Sequence, residues 1–142
     1  MLGVVYAIIA GLTVSFQSIF NVRVSEKLGF WLTNTVVHGS GFMLSLLILW
    51  MVKDGNLHKL DSLNKVYLLG GCMGVVIVFG AMKSVTILNP ALAIAILLIA
   101  QLIGTLAVET FGWFGIDKVA LSANRLLGIG VMIAGVVIFK YK

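Results

Sequence analysis

Charged residues are scarce in this sequence, and cysteine and proline each occur once. Only 11% of the residues are charged, whereas a soluble domain carries about 25%, so an ordinary water-soluble domain is excluded. The single cysteine, Cys72, excludes an intrachain disulfide and a metal site built on paired cysteines. With 61% hydrophobic residues, the chain is also too apolar for intrinsic disorder. The composition therefore predicts a polytopic membrane protein.

Long uncharged runs make up most of the sequence, and the mean hydropathy is +1.13. A helix of roughly 20 residues crosses a hydrocarbon core of about 30 Å, and five runs can supply such helices. We predict an all-α integral membrane protein, a single five-helix domain over residues 1–142, with approximate spans 2–22, 28–52, 66–83, 90–111 and 122–139. Because the fifth uncharged run is short, a four-span protein with an interfacial C-terminal helix is the alternative.

Short polar segments are the predicted loops, at residues 23–27, 53–65 and 117–124. Asn89 followed by Pro90 is typical of an N-cap and the first residue of a helix, which predicts that the fourth helix begins at Pro90. Lys83 is expected to extend from the third span toward the headgroups, and His58 is expected to be solvated in the 53–65 loop.

The basic residues divide evenly between the two sides of a five-span protein. The side with the N-terminus and two of the loops carries 5 of them: Lys53, Lys59, Lys65, Lys118 and Arg125. The other side also carries 5: Arg23, Lys27, Lys83, Lys140 and Lys142. Because the lysine and arginine bias of short loops sets orientation, this tie specifies none. If the last segment did not cross, the division would be 7 against 3.

An even division of charge in a small membrane protein favours insertion in both orientations. Two inverted copies would form an antiparallel homodimer of ten helices, which is the inverted-repeat plan by which secondary transporters alternate access. The alternative is an accidental tie, with orientation fixed by one dominant lysine or by an oppositely oriented homologue. The expected partners are the lipid bilayer, a second copy or such a homologue, and a small-molecule substrate. Nucleic acid is not expected, because the basic residues form no cluster.

Polar side chains form stripes inside three of the spans, where lipid cannot hydrogen-bond to them. They are the candidates for a substrate pathway: Gln17, Asn21, Asn34, His38, Gln101, Thr105 and Glu109. His38 can carry a proton near neutral pH, and Glu109 is the only acid in its apolar run, so proton coupling is a hypothesis for both. The competing interpretation for the polar side chains is hydrogen bonding between helices. For His38 it is a neutral ring bonded to Asn34 or to a neighbouring backbone group, and for Glu109 it is a place at the membrane interface.

Small residues at helical spacing are a further feature of the spans. Such residues let helices approach closely, within or between subunits, and the candidates for helix packing are Gly70, Gly74, Gly104, Gly128 and Gly135. No residues show the spacing of metal ligands or of a nucleophile with its base. We therefore predict neither an enzyme nor a cofactor.

Motifs along nearly the whole chain carry a family resemblance: Gln17, Asn21 and Arg23; Gly70, Gly71 and Gly74; Ala100-Gln101-Leu102; the ETFGWFG segment at 109–115; Leu126-Leu127-Gly128; and Ala134-Gly135. They resemble the short, five-helix YdcZ-type branch of the drug/metabolite transporter superfamily. The resemblance implies one half of a ten-helix inverted-repeat transporter, a bacterial plasma (inner) membrane location, and pathway roles for Gln17, Asn21, Gln101 and Glu109. The family pattern has Gly and Asp where this chain has Ala100 and Glu109.

These observations together predict a small multi-span membrane transporter, an exporter or exchanger of a small organic solute, that acts as an antiparallel dual-topology homodimer. Two alternatives stay open on the sequence. One is a passive membrane channel, and the other is a non-transporting membrane subunit that regulates a partner.

Overall fold

The computed structural model describes residues 1–53, 55 and 65–141, and the regular structure in that part of the chain is helical throughout. The five α-helices are α1 (Leu2–Leu28), α2 (Phe30–Val52), α3 (Gly70–Ile87), α4 (Pro90–Phe111) and α5 (Ala123–Lys140). Short 3-10 turns at Lys65–Leu69 and Trp113–Gly115 precede α3 and follow α4. All five helices, α3 with its preceding turn, are long and apolar enough to cross a membrane. The five-helix membrane fold is therefore confirmed, whereas His58 and most of its loop lie outside the described residues.

The chain turns sharply between α1 and α2, and the predicted loop at residues 23–27 is instead helical. The helix continues through these charged residues beyond the apolar run, because arginine, glutamate and lysine are good helix formers. Arg23 and Glu26 also form an ion pair one turn apart, at 3.4 Å. The turn itself is Gly29 alone, with φ 79° and ψ 160°. Only glycine adopts this conformation readily.

The first 86 residues form one compact unit, in which the buried side chains are mostly small and polar. Its buried members are Ser18, Asn21 and Ser25 of α1, Thr33 and Asn34 of α2, and Met82 and Val85 of α3. The two serine hydroxyls donate to carbonyls of α1, and the Thr33 hydroxyl donates to the carbonyl of the turn residue Gly29, at 2.8 Å in each case. Since these groups are satisfied locally, the small side chains let the helices approach without leaving a polar atom exposed to lipid.

Residues from Ile87 onward form a second unit, the hairpin of α4 and α5. The Asn89 side chain accepts from the backbone N–H of Leu92 at 2.8 Å, and Pro90 is the first helical residue. The predicted start of the fourth helix is therefore confirmed. Ser122 caps α5 in the same way, accepting from the N–H of Arg125 at 3.4 Å. Each helix of the hairpin thus begins at a side chain that satisfies one of its first N–H groups.

Most of the apolar surface of each unit is open. In the most apolar 18-residue window of each helix, no more than 17% of the residues are buried. Such exposure would make a water-soluble protein aggregate, but it is the surface that a helix presents to lipid or to another subunit.

We expect Gly29→Ala to destabilise the protein by about 1–3 kcal/mol, because an added Cβ would have to occupy a backbone region that is nearly exclusive to glycine. Unfolding in mixed detergent micelles measures the change. Gly39→Ala is the matched control, since a Cβ at Gly39 in α2 meets no atom within 4 Å. Equal stability of the two variants would show that the α1–α2 turn does not depend on the positive φ of Gly29.

Candidate functional site

The predicted pathway residues fall into two groups, one in each unit, and each group is described by itself. The first lies where α2 meets α3 and contains Asn34 and His38. The second lies between α4 and α5 and contains Thr105 and Glu109.

Asn34 ties α2 to α3 through its side-chain amide. Its Nδ2 donates to the backbone carbonyl of Val75 at 2.8 Å, and the residue is only 2% exposed. The other end of the amide, Oδ1, is buried without a hydrogen-bond partner. An unpaired buried acceptor costs free energy that the single Nδ2 bond does not recover in full. Asn34 thus joins the two helices through Nδ2, while its Oδ1 stays buried without a hydrogen bond.

His38 lies one turn further along α2 and faces a glycine. Its Nδ1 is 3.0 Å from the backbone carbonyl of Asn34. Since a carbonyl oxygen can only accept, Nδ1 carries the hydrogen, and in the neutral ring Nε2 has the lone pair. Nε2 lies only 3.2 Å from the point that a Cβ on Gly74 would occupy. The absence of a side chain at Gly74 therefore makes room for the imidazole.

The two amides of α1 differ in their surroundings. Gln17 is exposed, whereas Asn21 is buried beside Ser18 and Ser25 on the packed face of α1. The structure shows no hydrogen bond from either amide to Asn34 or His38. Their placement in a pathway stays a prediction.

An aromatic cluster that the sequence did not predict lies at the α2–α3 contact. Trp31 stacks on Phe79 with ring centroids 4.5 Å apart, and Phe30 meets the edge of Phe79 at 6.1 Å. The Lys83 ammonium lies 4.1 Å from the centroid of the Phe30 ring. Lys83 therefore ends on an aromatic face, a favourable cation–π contact. The available signal was the four-residue spacing of Phe79 and Lys83, which puts both on one face of α3.

Glu109 and Arg125 form an ion pair that joins the end of α4 to the beginning of α5. Nη1 of Arg125 is 2.8 Å from Oε2 of Glu109, and the two side chains are 41% and 32% exposed. From the sequence alone, Arg125 was predicted only as a loop charge. Both residues lie close to the short α4–α5 connection, so an antiparallel hairpin brings them side by side. That spacing was the signal that could have identified the pair.

The ion pair lies at a cavity of about 380 Å³ between α4 and α5. The other lining residues are Leu102, Thr105, Leu106, Gly128, Ile129 and Met132. The cavity is thus apolar apart from one hydroxyl and the two opposite charges. Gln101, by contrast, is exposed and does not line it.

Only Gly74, of the five glycines predicted to pack helices, has another helix within 4 Å of its missing Cβ. A Cβ would meet nothing within that distance at the other four: Gly70, Gly104, Gly128 and Gly135. Packing between subunits at these four stays a prediction. Within the described part of the chain, no group of three His, Cys, Asp or Glu residues could hold a metal ion.

Comparison with known proteins identifies one family. Residues 2–138 match the model of the family described as "Putative inner membrane exporter, YdcZ". No curated protein and no solved structure matches the chain.

We expect Gly74→Ala to be about 1 kcal/mol less favourable in the native protein than in a protein that lacks the His38 ring, because the new methyl group would press on that ring. In a His38→Ala background the same change is expected to be neutral or stabilising, since the opposing ring is absent and alanine favours a helix. Unfolding of the four proteins of this double-mutant cycle measures the coupling. Additive effects would contradict the contact between His38 and Gly74.

Proposed function

The chain belongs to the YdcZ family of inner membrane exporters, and on this premise we propose that two copies, inserted in opposite orientations, form a transporter for a small organic solute. The family and the five apolar helices make the chain a multi-pass inner-membrane transport protein. Beyond this, we propose that the homodimer is inverted, that the solute is a small organic molecule and that the protein transports it without catalysing a reaction. Each copy supplies one half of a ten-helix inverted-repeat transporter.

The even division of basic residues is the observation that carries this proposal. It holds only if α5 crosses the membrane, which places Lys140 and Lys142 opposite Arg125. The 18 residues of α5, with a mean hydropathy of 1.6, support a crossing. Five basic residues on each side then leave insertion without a preferred direction.

The open surfaces of the chain support a second copy. Alternating access needs a site enclosed between two sets of helices, and inverted repeats supply two such sets with related shapes. Because few residues of the apolar helices are buried, ample surface remains for contact with the helices of a second copy. Glycines with open space at the Cβ position, such as Gly104 and Gly135, would allow close helix approach across the interface.

The sidedness of the C-terminus tests the inverted arrangement. We expect a cysteine placed after Lys142, in a Cys72→Ser background, to be labelled from both faces of intact cells and inverted vesicles. Labelling from one face only would contradict dual insertion. It would then indicate a single orientation and an oppositely oriented homologue as partner.

We expect two single substitutions to shift this labelling in opposite directions. Lys118→Gln leaves 4 basic residues against 5, and Lys140→Gln leaves 5 against 4. Because the side richer in lysine and arginine stays in the cytoplasm, the two variants should favour opposite orientations. Both side chains are exposed, so the changes should leave the fold intact. A shift in the same direction, or none, would contradict orientation by charge balance.

Flux through reconstituted vesicles tests transport itself. A carrier is expected to saturate and to show counterflow, whereas a passive channel shows neither. Proton coupling through His38 or Glu109 is the finer hypothesis. If either side chain carries the coupled proton, His38→Gln or Glu109→Gln should remove the pH dependence of uptake. Full uptake with an unchanged pH profile in both variants would contradict coupling at these residues.

A further inference from the structure

The Glu109–Arg125 pair occupies the less favourable end of each helix. Glu109 lies in the last turn of α4, where the helix dipole is negative, and Arg125 lies in the first turn of α5, where it is positive. Each charge is unfavourable in its own helix and favourable beside the other. The pair therefore depends on mutual contact, and a ligand that separates the charges must supply a replacement for both.

The contact between the two side chains leaves capacity for further bonds. The pair is joined by a single Nη1–Oε2 contact of 2.8 Å, whereas guanidinium and carboxylate can make two parallel bonds. The second carboxylate oxygen and the remaining guanidinium N–H groups therefore have donor and acceptor capacity to spare. Both side chains are partly exposed at the cavity that they line. Ligand groups can thus reach both charges.

The charge balance of the cavity selects the kind of ligand. A ligand with one charge would pair with one member of the Glu109–Arg125 pair and leave the other uncompensated in apolar surroundings, which is costly. A ligand with one cationic and one anionic group would instead replace one ion pair with two and add no net charge. Neighbouring Leu102, Ile129 and Met132 would contact an apolar body. A volume of about 380 Å³ lies at the small end of the range for small-molecule sites.

We propose that the α4–α5 cavity is a binding site for a small amphipathic zwitterion, whose cationic group pairs with Glu109 and whose anionic group pairs with Arg125. The apolar body of the ligand lies along the aliphatic side chains of the two helices. This assignment names the solute class of the proposed transporter and rests on that function for its role. Binding can nevertheless be measured without transport. The same chemistry could come from a free solute or from the headgroup of a zwitterionic lipid.

Three ligands that share the same aliphatic body test the site in purified protein. They are L-leucine, 3-methylbutylamine, which is leucine without the carboxylate, and 4-methylpentanoate, which is leucine without the amine. Calorimetry is expected to show L-leucine binding at least tenfold more tightly than either single-charge analogue. Equal or tighter binding of the amine or the acid would overturn the proposal, as would the absence of L-leucine binding.

Single substitutions at Glu109 and Arg125 should produce opposite preferences between the acid and the amine. Glu109→Gln leaves the arginine charge, so the acid should bind more tightly than the amine. Arg125→Gln leaves the carboxylate, so the amine should bind more tightly than the acid. The double variant, which has no unpaired charge, is expected to fold even if a single variant does not, and should lose the zwitterion preference. Retention of that preference in the double variant would overturn the site.

Glu26→Gln is the matched control. It removes the acid of the other ion pair in the described part of the chain, the exposed Arg23–Glu26 pair of α1. The tenfold preference for L-leucine should survive this change. Loss of the preference in Glu26→Gln would assign it to the overall charge of the protein and overturn the cavity site.

The lipid and solute sources are separated by the membrane used. L-leucine binding that is equal in nanodiscs of phosphatidylglycerol and of phosphatidylethanolamine supports a free solute. Binding that is lost only in phosphatidylethanolamine, which carries both charges, supports a lipid headgroup in the same site. Binding without counterflow in vesicles would contradict the transport function but not the site. Saturable flux of another solute without zwitterion binding would contradict the site alone.

Discussion

Hydrocarbon offers no hydrogen-bond partner to a buried polar group, and this constraint underlies the local structure of the described helices. Helices satisfy the backbone within each span, so helical segments account for nearly all of the described residues. Side-chain hydroxyls follow the same rule, since those of Ser18, Ser25 and Thr33 bond to backbone carbonyls three or four residues earlier in the chain. Polar groups that are satisfied within one helix can then be packed between helices, which explains a packed face made of small polar residues.

Charges obey a stricter form of the same constraint, because an unpaired ion in an apolar environment is costly. Two of the charges near the ends of the spans have a partner on a neighbouring helix. Lys83 rests on the ring of Phe30, and Glu109 pairs with Arg125. The second pair differs from the first because it lies at a cavity and holds both signs. Such an arrangement can match both charges of a zwitterionic ligand at once.

The described fold agrees with the sequence where a capping residue and a proline marked the start of a helix. Asn89 and Pro90 mark the start of α4 because a cap and a proline act within one helical turn. The prediction of a loop at residues 23–27 was wrong, because a run of charged residues marks the end of the segment within the hydrocarbon and not the end of the helix. The true turn is one residue, Gly29, and a single glycine in a sequence rich in glycine carries no distinctive signal.

The amino-acid sequence by itself determined that five helices are long and apolar enough to cross a membrane, and where α4 begins, because apolar length and capping are local properties. Only the tertiary structure decided which side chains meet: Asn34 with Val75, His38 with Gly74, and Glu109 with Arg125. These contacts depend on the rotation and register of neighbouring helices. Spans that are apolar on nearly every face have no hydrophobic periodicity to mark the packed side, so their register is set by packing in three dimensions.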